Sequence, residues 1–192
     1  MAVFSGADDV LRLVEADPWR MAVLRAVRGL GLPDCWVCAG FVRALVWDHL
    51  HGYDEATSLD DVDVIYFDDD NTDKADERLY EERLAEVLAQ VPWSVKNQAR
   101  MHRRNGDQPY RDTSDALCHW LETPTAVAVR MDDDKQLELL ASLGLDDLLA
   151  MRIVPTPHAL NQRLSAYRER VLARPWARQW PDVEIQIPKR RA

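Results

Sequence analysis

Across its 192 residues the chain carries a formal net charge of −9, with 47% hydrophobic and 30% charged residues. Such a length suits one domain with a real core, and such a balance excludes a disordered chain. No apolar run reaches the length of a membrane span, and the negative field disfavours non-specific binding to DNA or RNA. The first residues place Asp8 and Asp9 where a secretory signal needs an apolar run, so a cytoplasmic location is expected. Cys35, Cys38 and Cys118 form an odd set with no disulfide-framework spacing, which fits a reducing compartment.

Residues 8–29 read as amphipathic helix, with Val10, Leu13 and Val14 followed by Met21, Leu24 and Val27, and Pro18 marking a break or a second start. A short strand over Cys35 to Cys38 meets Ala39-Gly40, and helical spacing resumes through Phe41 and Leu45 to His49. After a polar loop over residues 51–60, Asp61 to Phe67 has the β-branched and aromatic content of a buried strand. A helix over Glu77 to Gln90 is expected to turn Leu79, Leu84, Val87 and Leu88 inward.

Trp93 to Met101 alternates like a strand, and His102 to Asp112 reads as a loop with Gly106 and Pro109 as turn residues. A short helix over Thr113 to Leu121 precedes two strands, Thr125 to Met131 and Gln136 to Leu140, which the acidic turn Asp132 to Lys135 would join as an antiparallel hairpin. Helices follow over Gly144 to Ile153 and Pro157 to Ala173, the second carrying Leu160, Leu164, Tyr167 and Val171 on one face. The last residues, with Pro175-Trp176 and Trp180-Pro181, read as an irregular segment laid over the body and ending in a solvated Lys189 to Arg191 cluster. Together these elements make one α+β (or α/β-like) domain over residues 1–192, a small mixed sheet flanked by helices, with residues 157–192 a C-terminal helix and tail.

Asp61-Val62-Asp63 opens its strand with two carboxylates on one face, about 7 Å apart at the backbone. Carboxylates so spaced can hold Mg²⁺ or Mn²⁺ and leave positions for water and phosphate oxygens. The same residues alone would also describe a pair of exposed acids at a strand edge. Upstream, Ala39-Gly40 lies between strand and helix, where small residues let backbone N–H groups approach a phosphate.

Ala39-Gly40-Phe41-Val42-Arg43 followed by Asp61-Val62-Asp63 resembles the nucleotidyltransferase-like superfamily, in which a glycine pair opening a helix precedes an aspartate-x-aspartate strand. The arrangement is similar to that of the enzymes that add the CCA end to tRNA. A closer resemblance is to a small bacterial family of nucleotidyltransferase proteins. It runs through Val42-Arg43, Trp47-Asp48, Asp61 to Phe67, Val95 to His102, Pro109-Tyr110, Thr125 to Arg130 and Gly144 to Leu148. The resemblance implies metal binding by Asp61 and Asp63, nucleotide binding by Gly40 with Ala39 in place of the first glycine, and Arg43 on the same helix.

The resemblance also implies a third carboxylate on a neighbouring strand. Glu138, within Leu137 to Leu140, is the candidate for a base, although an exposed glutamate between core leucines reads the same way. Lys96 and Arg100, placed on one strand, are the expected partners of a triphosphate, with a solvated basic face as the plain alternative. Cys35 and Cys38 have redox spacing but fall on opposite faces of a strand, and His49 and His51 lack a third ligand. Tyr110 reads as a core or lid residue rather than a base-stacking one, and Asp132, Asp133 and Asp134 as a turn.

The expected activity is magnesium- or manganese-dependent transfer of a nucleotidyl group from a nucleoside triphosphate to a small-molecule or protein acceptor. Neither a long nucleic acid nor a membrane is expected as partner. Two rivals stand beside it: a nucleotide-binding or regulatory domain without catalysis, and an interaction protein using Trp176 and Trp180 as an adhesive surface.

Overall fold

A computed structural model describes Phe4 and residues 6–188; the Lys189 to Arg191 cluster lies outside the described residues. Helices α1 (Ala7–Ala16) and α2 (Pro18–Arg28) are separate because Asp17 intervenes, its carboxylate accepting from the N–H groups of Trp19 and Arg20 with Pro18 in the first turn. Strand β1 (Trp36–Cys38) runs into α3 (Gly40–His51), and β2 (Val62–Tyr66) follows. Helix α4 (Lys74–Val87), β3 (Trp93–Asn97) and α5 (Gln98–Asn105) come next, then α6 (Thr113–Cys118). The hairpin of β4 (Ala128–Met131) and β5 (Leu137–Leu140) completes a five-stranded mixed sheet in the order β3-β2-β1-β4-β5. Strand β1 is antiparallel to both neighbours, and β2 is parallel to β3.

The strand period of two divides the side chains between two faces. Val37, Val64, Val95 and Val129 point to the larger core, under α1 to α4, with Phe41, Val42 and Trp47 of α3 against them. Trp36, Cys38, Ile65 and Ala128 point the other way, into a smaller cluster closed by Leu117 of α6. By the same alternation Asp63 shares the second face with Ile65, which keeps a carboxylate out of the main core.

Helix α4 departs from its expected packing. Leu84 is buried, but Leu79 and Val87 are 49% and 66% exposed. The face turned to the sheet is led by Glu77 and Glu81, whose carboxylates accept from the Asn97 and Val95 N–H groups at 2.8 and 2.9 Å. They satisfy the donors of an edge strand that no neighbour covers.

Strand β3 also ends sooner than its alternation suggests, because the Asn97 side chain accepts from the Ala99 N–H and starts a helix there. Lys96 is therefore on a strand and Arg100 on α5. Part of the expected loop is helix as well, until Gly106 ends α5 at φ 76°.

The C-terminal part holds α7 (Asp146–Leu149), β6 (Arg152–Ile153), α8 (Pro157–Gln162), α9 (Leu164–Ala173), α10 (Trp176–Gln179) and β7 (Glu184–Ile185). The single helix expected over Pro157 to Ala173 breaks at Arg163, which leaves Leu160 46% exposed rather than on the face of Tyr167 and Val171. Strands β6 and β7 pair in parallel as a second, two-stranded sheet. Trp176 and Trp180 are core residues, 3% and 2% exposed, so they offer no adhesive surface. Trp180 packs edge-on to Trp47 at 5.2 Å, and its Nε1 donates to Asp48 Oδ1 at 2.7 Å.

Candidate active site

At the β1–α3 turn, Ala39 sits at φ 58°, ψ −122°, a conformation that an L side chain seldom adopts. Its N–H donates to Val127 O at 3.1 Å and its carbonyl accepts from Arg43 N at 3.0 Å, so the strand's end and the helix's first turn hold the strained peptide. The turn frees the amide end of α3 to face a cleft. A Cβ built on Gly40 would meet Leu59 Cδ2 at 3.6 Å and Arg43 Nη2 at 3.8 Å, ordinary contacts. Packing alone therefore does not demand glycine here; its absent side chain widens the cleft beside the helix terminus, where an anion is favoured.

The cleft has a volume of about 370 Å³ and is bordered by Asp61 and Asp63 along β2. Asp63 lies in register between Cys38 of β1 and Ser94 of β3. Burial, and then the like charge of Asp61, push its pKa up to about 6, against the opposing effects of the Ser94 hydroxyl, Arg170 and Lys96. Asp61 is exposed at the mouth. Two hard oxygen donors facing one space suit a magnesium-type ion that completes its shell with water and phosphate oxygens. Among the described residues no group of three or more His, Cys, Asp or Glu side chains could hold a metal.

Cations surround this pair: Arg43, Lys96, Arg104, Arg170 and Arg174 all line the cleft. Arg43 is buried between the rings of Trp47 and Trp176, at 5.5 and 5.0 Å, and donates to Thr125 Oγ1 at 3.0 Å. Burial draws its pKa down to about 10, partly offset by Glu122, while the neighbouring Arg170 and Arg174 add to the lowering. Arg170 Nε lies 2.8 Å from Glu122 Oε1, and Arg174 Nη1 lies 3.1 Å from Asp60 Oδ2. Arg104 makes no ion pair among the described residues.

The structure thus brings Ala39, Gly40, Arg43, Asp61, Asp63 and Lys96 to one space. Lys96 also donates to Glu81 Oε1 at 3.0 Å. Two expected site residues lie elsewhere. Arg100 grips the buried Glu77 with Nε and Nη2, fixing α5 to α4. Glu138 faces Arg130 across the β4–β5 pair, with Arg130 Nε 2.5 Å from its Oε2, and that guanidinium stacks over Trp36 at 4.2 Å.

Arg170 and Arg174 escaped sequence reading because they come from α9 and its C-terminal end, far along the chain. Their separation of four residues, one helical face, was the available signal. Ser94 gave none beyond its place two residues before Lys96.

Features set aside in the sequence behave as structural residues. Cys35 and Cys38 are free thiols, Cys35 pushed up to about 12 and Cys38 well above its usual range by burial. The His51 ring bridges Trp47 O and the Asp182 N–H. Tyr110 is buried, its hydroxyl donating to Asp107 Oδ2 at 2.5 Å.

A family model described as nucleotidyltransferase matches residues 25–185. An NMR structure described as revealing a CCA-adding enzyme head domain superposes with a TM-score of 0.85 at 32% identity, over 95% of this chain and 96% of that one. A CCA-adding enzyme with CTP gives a TM-score of 0.57 at 15% identity, over 97% of this chain and 44% of that chain. The Thermotoga maritima CCA-adding enzyme complexed with tRNA gives 0.55 at 16% identity, over 97% and 43%. This chain spans less than half of those two enzymes, and at such identity the likeness is one of fold. No curated protein sequence matches significantly.

Proposed function

Because the chain belongs to the nucleotidyltransferase family, we propose that it moves a nucleotidyl group from a nucleoside triphosphate to a hydroxyl on a small molecule or protein, with Asp61 and Asp63 holding Mg²⁺ or Mn²⁺. The observation that carries this reading is the cleft itself. In a chain of net charge −9, five cationic side chains converge on an aspartate pair beside an open helix N-terminus. Such a field suits a polyanion bound together with a cation.

In this reading the first amides of α3, at Gly40, and the guanidinium of Arg43 receive phosphate oxygens, while Arg104, Arg170, Arg174 and Lys96 offset charge that gathers on the departing group. A divalent ion on the two aspartates supplies charge neutralisation at the α-phosphate. The acceptor oxygen bonds to the α-phosphorus and the bond from that phosphorus to the bridging oxygen breaks. Pyrophosphate leaves with the electron pair, and the hydroxyl proton passes to water. Glu138 has no part in this step, since Arg130 holds its carboxylate outside the cleft.

That placement of Glu138 favours a second reading, a domain that binds nucleotide without transferring it. Pyrophosphate release separates the two. Incubation with each of the four nucleoside triphosphates, Mg²⁺ and pooled small hydroxyl-bearing metabolites should release pyrophosphate with at least one triphosphate, and Asp61→Asn should lower the rate by at least 100-fold. Metal-dependent binding with no release in any combination, and with no label transferred from α-labelled triphosphate to a heat-treated cellular protein fraction, would establish the silent reading instead.

A further inference from the structure

Asp63, but not Asp61, borders a second lobe, of about 240 Å³, that shares Ala39, Asp63, Lys96 and Arg170 with the first but differs in character. It runs over the second face of the sheet, between α5 and the segment that follows α6. Ile65, Met101, Trp120 and Leu121 give it apolar walls, where charged and polar groups dominate the first lobe. At its rim stands Arg163, at the break between α8 and α9. Arg163 is half-buried, and its guanidinium makes no hydrogen bond or ion pair among the described residues. The neighbouring Arg170, by contrast, is already committed to Glu122.

Resting on the nucleotidyl-transfer reading, we infer that this second lobe seats the acceptor. It takes a small molecule with a flat or apolar body, a hydroxyl at one end and an anionic group, carboxylate or phosphate, at the other. Three observations fix that chemistry. The two lobes meet at Asp63, so a hydroxyl reaching inward from the second arrives beside the phosphates held in the first. Trp120 and Met101 offer contact surface for a ring or chain, while the lobe's two amide side chains are engaged, Gln98 Nε2 donating to Lys96 O and Asn105 Nδ2 to the Tyr110 hydroxyl. Arg163 is a free fork, with the geometry that pairs with a carboxylate or phosphate. A volume of about 240 Å³ limits the seated part to a small molecule.

Ligand-detected NMR with three probes tests the inference: 4-hydroxyphenylacetate, 4-hydroxybenzylphosphonate and the uncharged 4-hydroxyphenylethanol. The wild-type protein should bind at least one anionic probe 5-fold or more tighter than the alcohol, and saturating Mg²⁺ with triphosphate should not displace it. Whichever anion gains more identifies the preferred group. Arg163→Gln should abolish the preference, Arg163→Lys should keep part of it, and both should retain the wild-type thermal stabilisation by Mg²⁺ and triphosphate. The inference is overturned if neither anion is preferred or if the preference survives in Arg163→Gln. It is overturned equally if triphosphate displaces the probe, or if Arg163→Gln loses the nucleotide-dependent stabilisation, since the lobe would then hold the nucleotide. An Arg163-dependent preference in a protein that no triphosphate stabilises would count against nucleotidyl transfer, and with it against the acceptor role, while leaving an anion pocket.

Discussion

The Asp63 carboxyl is pushed up to about 6 chiefly by burial and next by its neighbour Asp61, so the folded protein resists the charge that the proposed cation binding requires. The direction of the stability effect follows from linkage. A carboxyl raised in the folded state destabilises the fold once ionised; the penalty is fully present above the folded value and vanishes below the unfolded one. Asp63→Asn should therefore be more stable than the wild type at pH 8 without divalent ions, by on the order of 1–3 kcal/mol, and about equal at pH 4. Urea denaturation at the two pH values checks this, and an equal difference at both would refute it. That Asp61, Asp63, Gly40, Arg43 and Lys96 share one cleft was legible in the sequence, since strand alternation puts the two carboxylates on one face and the resemblance supplied Gly40 and Arg43. Glu138 was not, because alternation places it on a face but cannot show that Arg130 opposite would occupy its carboxylate.

Among the elements, α4 and β3 show most clearly how polar contacts overrode pattern. Alternation continues past Asn97, but its side chain caps a helix, and the apolar positions expected to bury α4 gave way to glutamates that bond an edge strand. Glu77 is 2% exposed and joins the Asn97 N–H, Arg100 and, at 4.0 Å, Lys96. Glu77→Ala would leave a backbone donor and a guanidinium without their partner, so a loss of about 3–5 kcal/mol is expected. Thermal denaturation measures it; a loss below about 1 kcal/mol would show that water replaces the carboxylate. The tail was least legible. A segment laid over the body was expected, with its tryptophans an adhesive surface only in a rival reading, whereas Trp180 closes on Trp47 and donates to Asp48, 132 residues away, contacts that no local window contains.

At the scale of the whole molecule, a net charge of −9 surrounds a cleft lined by cations. The field falls off within about 8 Å at physiological ionic strength, so a small polyanion inside the cleft senses the arginines while a long one also meets the acidic exterior. Binding of tRNA is accordingly expected to be no tighter than roughly 10⁻⁴ M at physiological salt, at the weak limit of non-specific association. A filter-binding titration yielding submicromolar affinity with a steep loss on adding salt would contradict that expectation. Among the described residues no helix is long and apolar enough to cross a membrane.

Metal-dependent nucleotide binding at Asp61 and Asp63 is tested most directly by thermal denaturation with each of the four nucleoside triphosphates, with and without Mg²⁺. Wild-type protein should gain roughly 5–10 °C with at least one triphosphate at about a hundredfold excess over its Kd, and only when the ion is present. The Asp61→Asn, Asp63→Asn double variant, folded and at least as stable by itself, should lose that metal-dependent gain. A wild-type protein whose melting no triphosphate shifts, or a double variant that keeps the full shift, would contradict it.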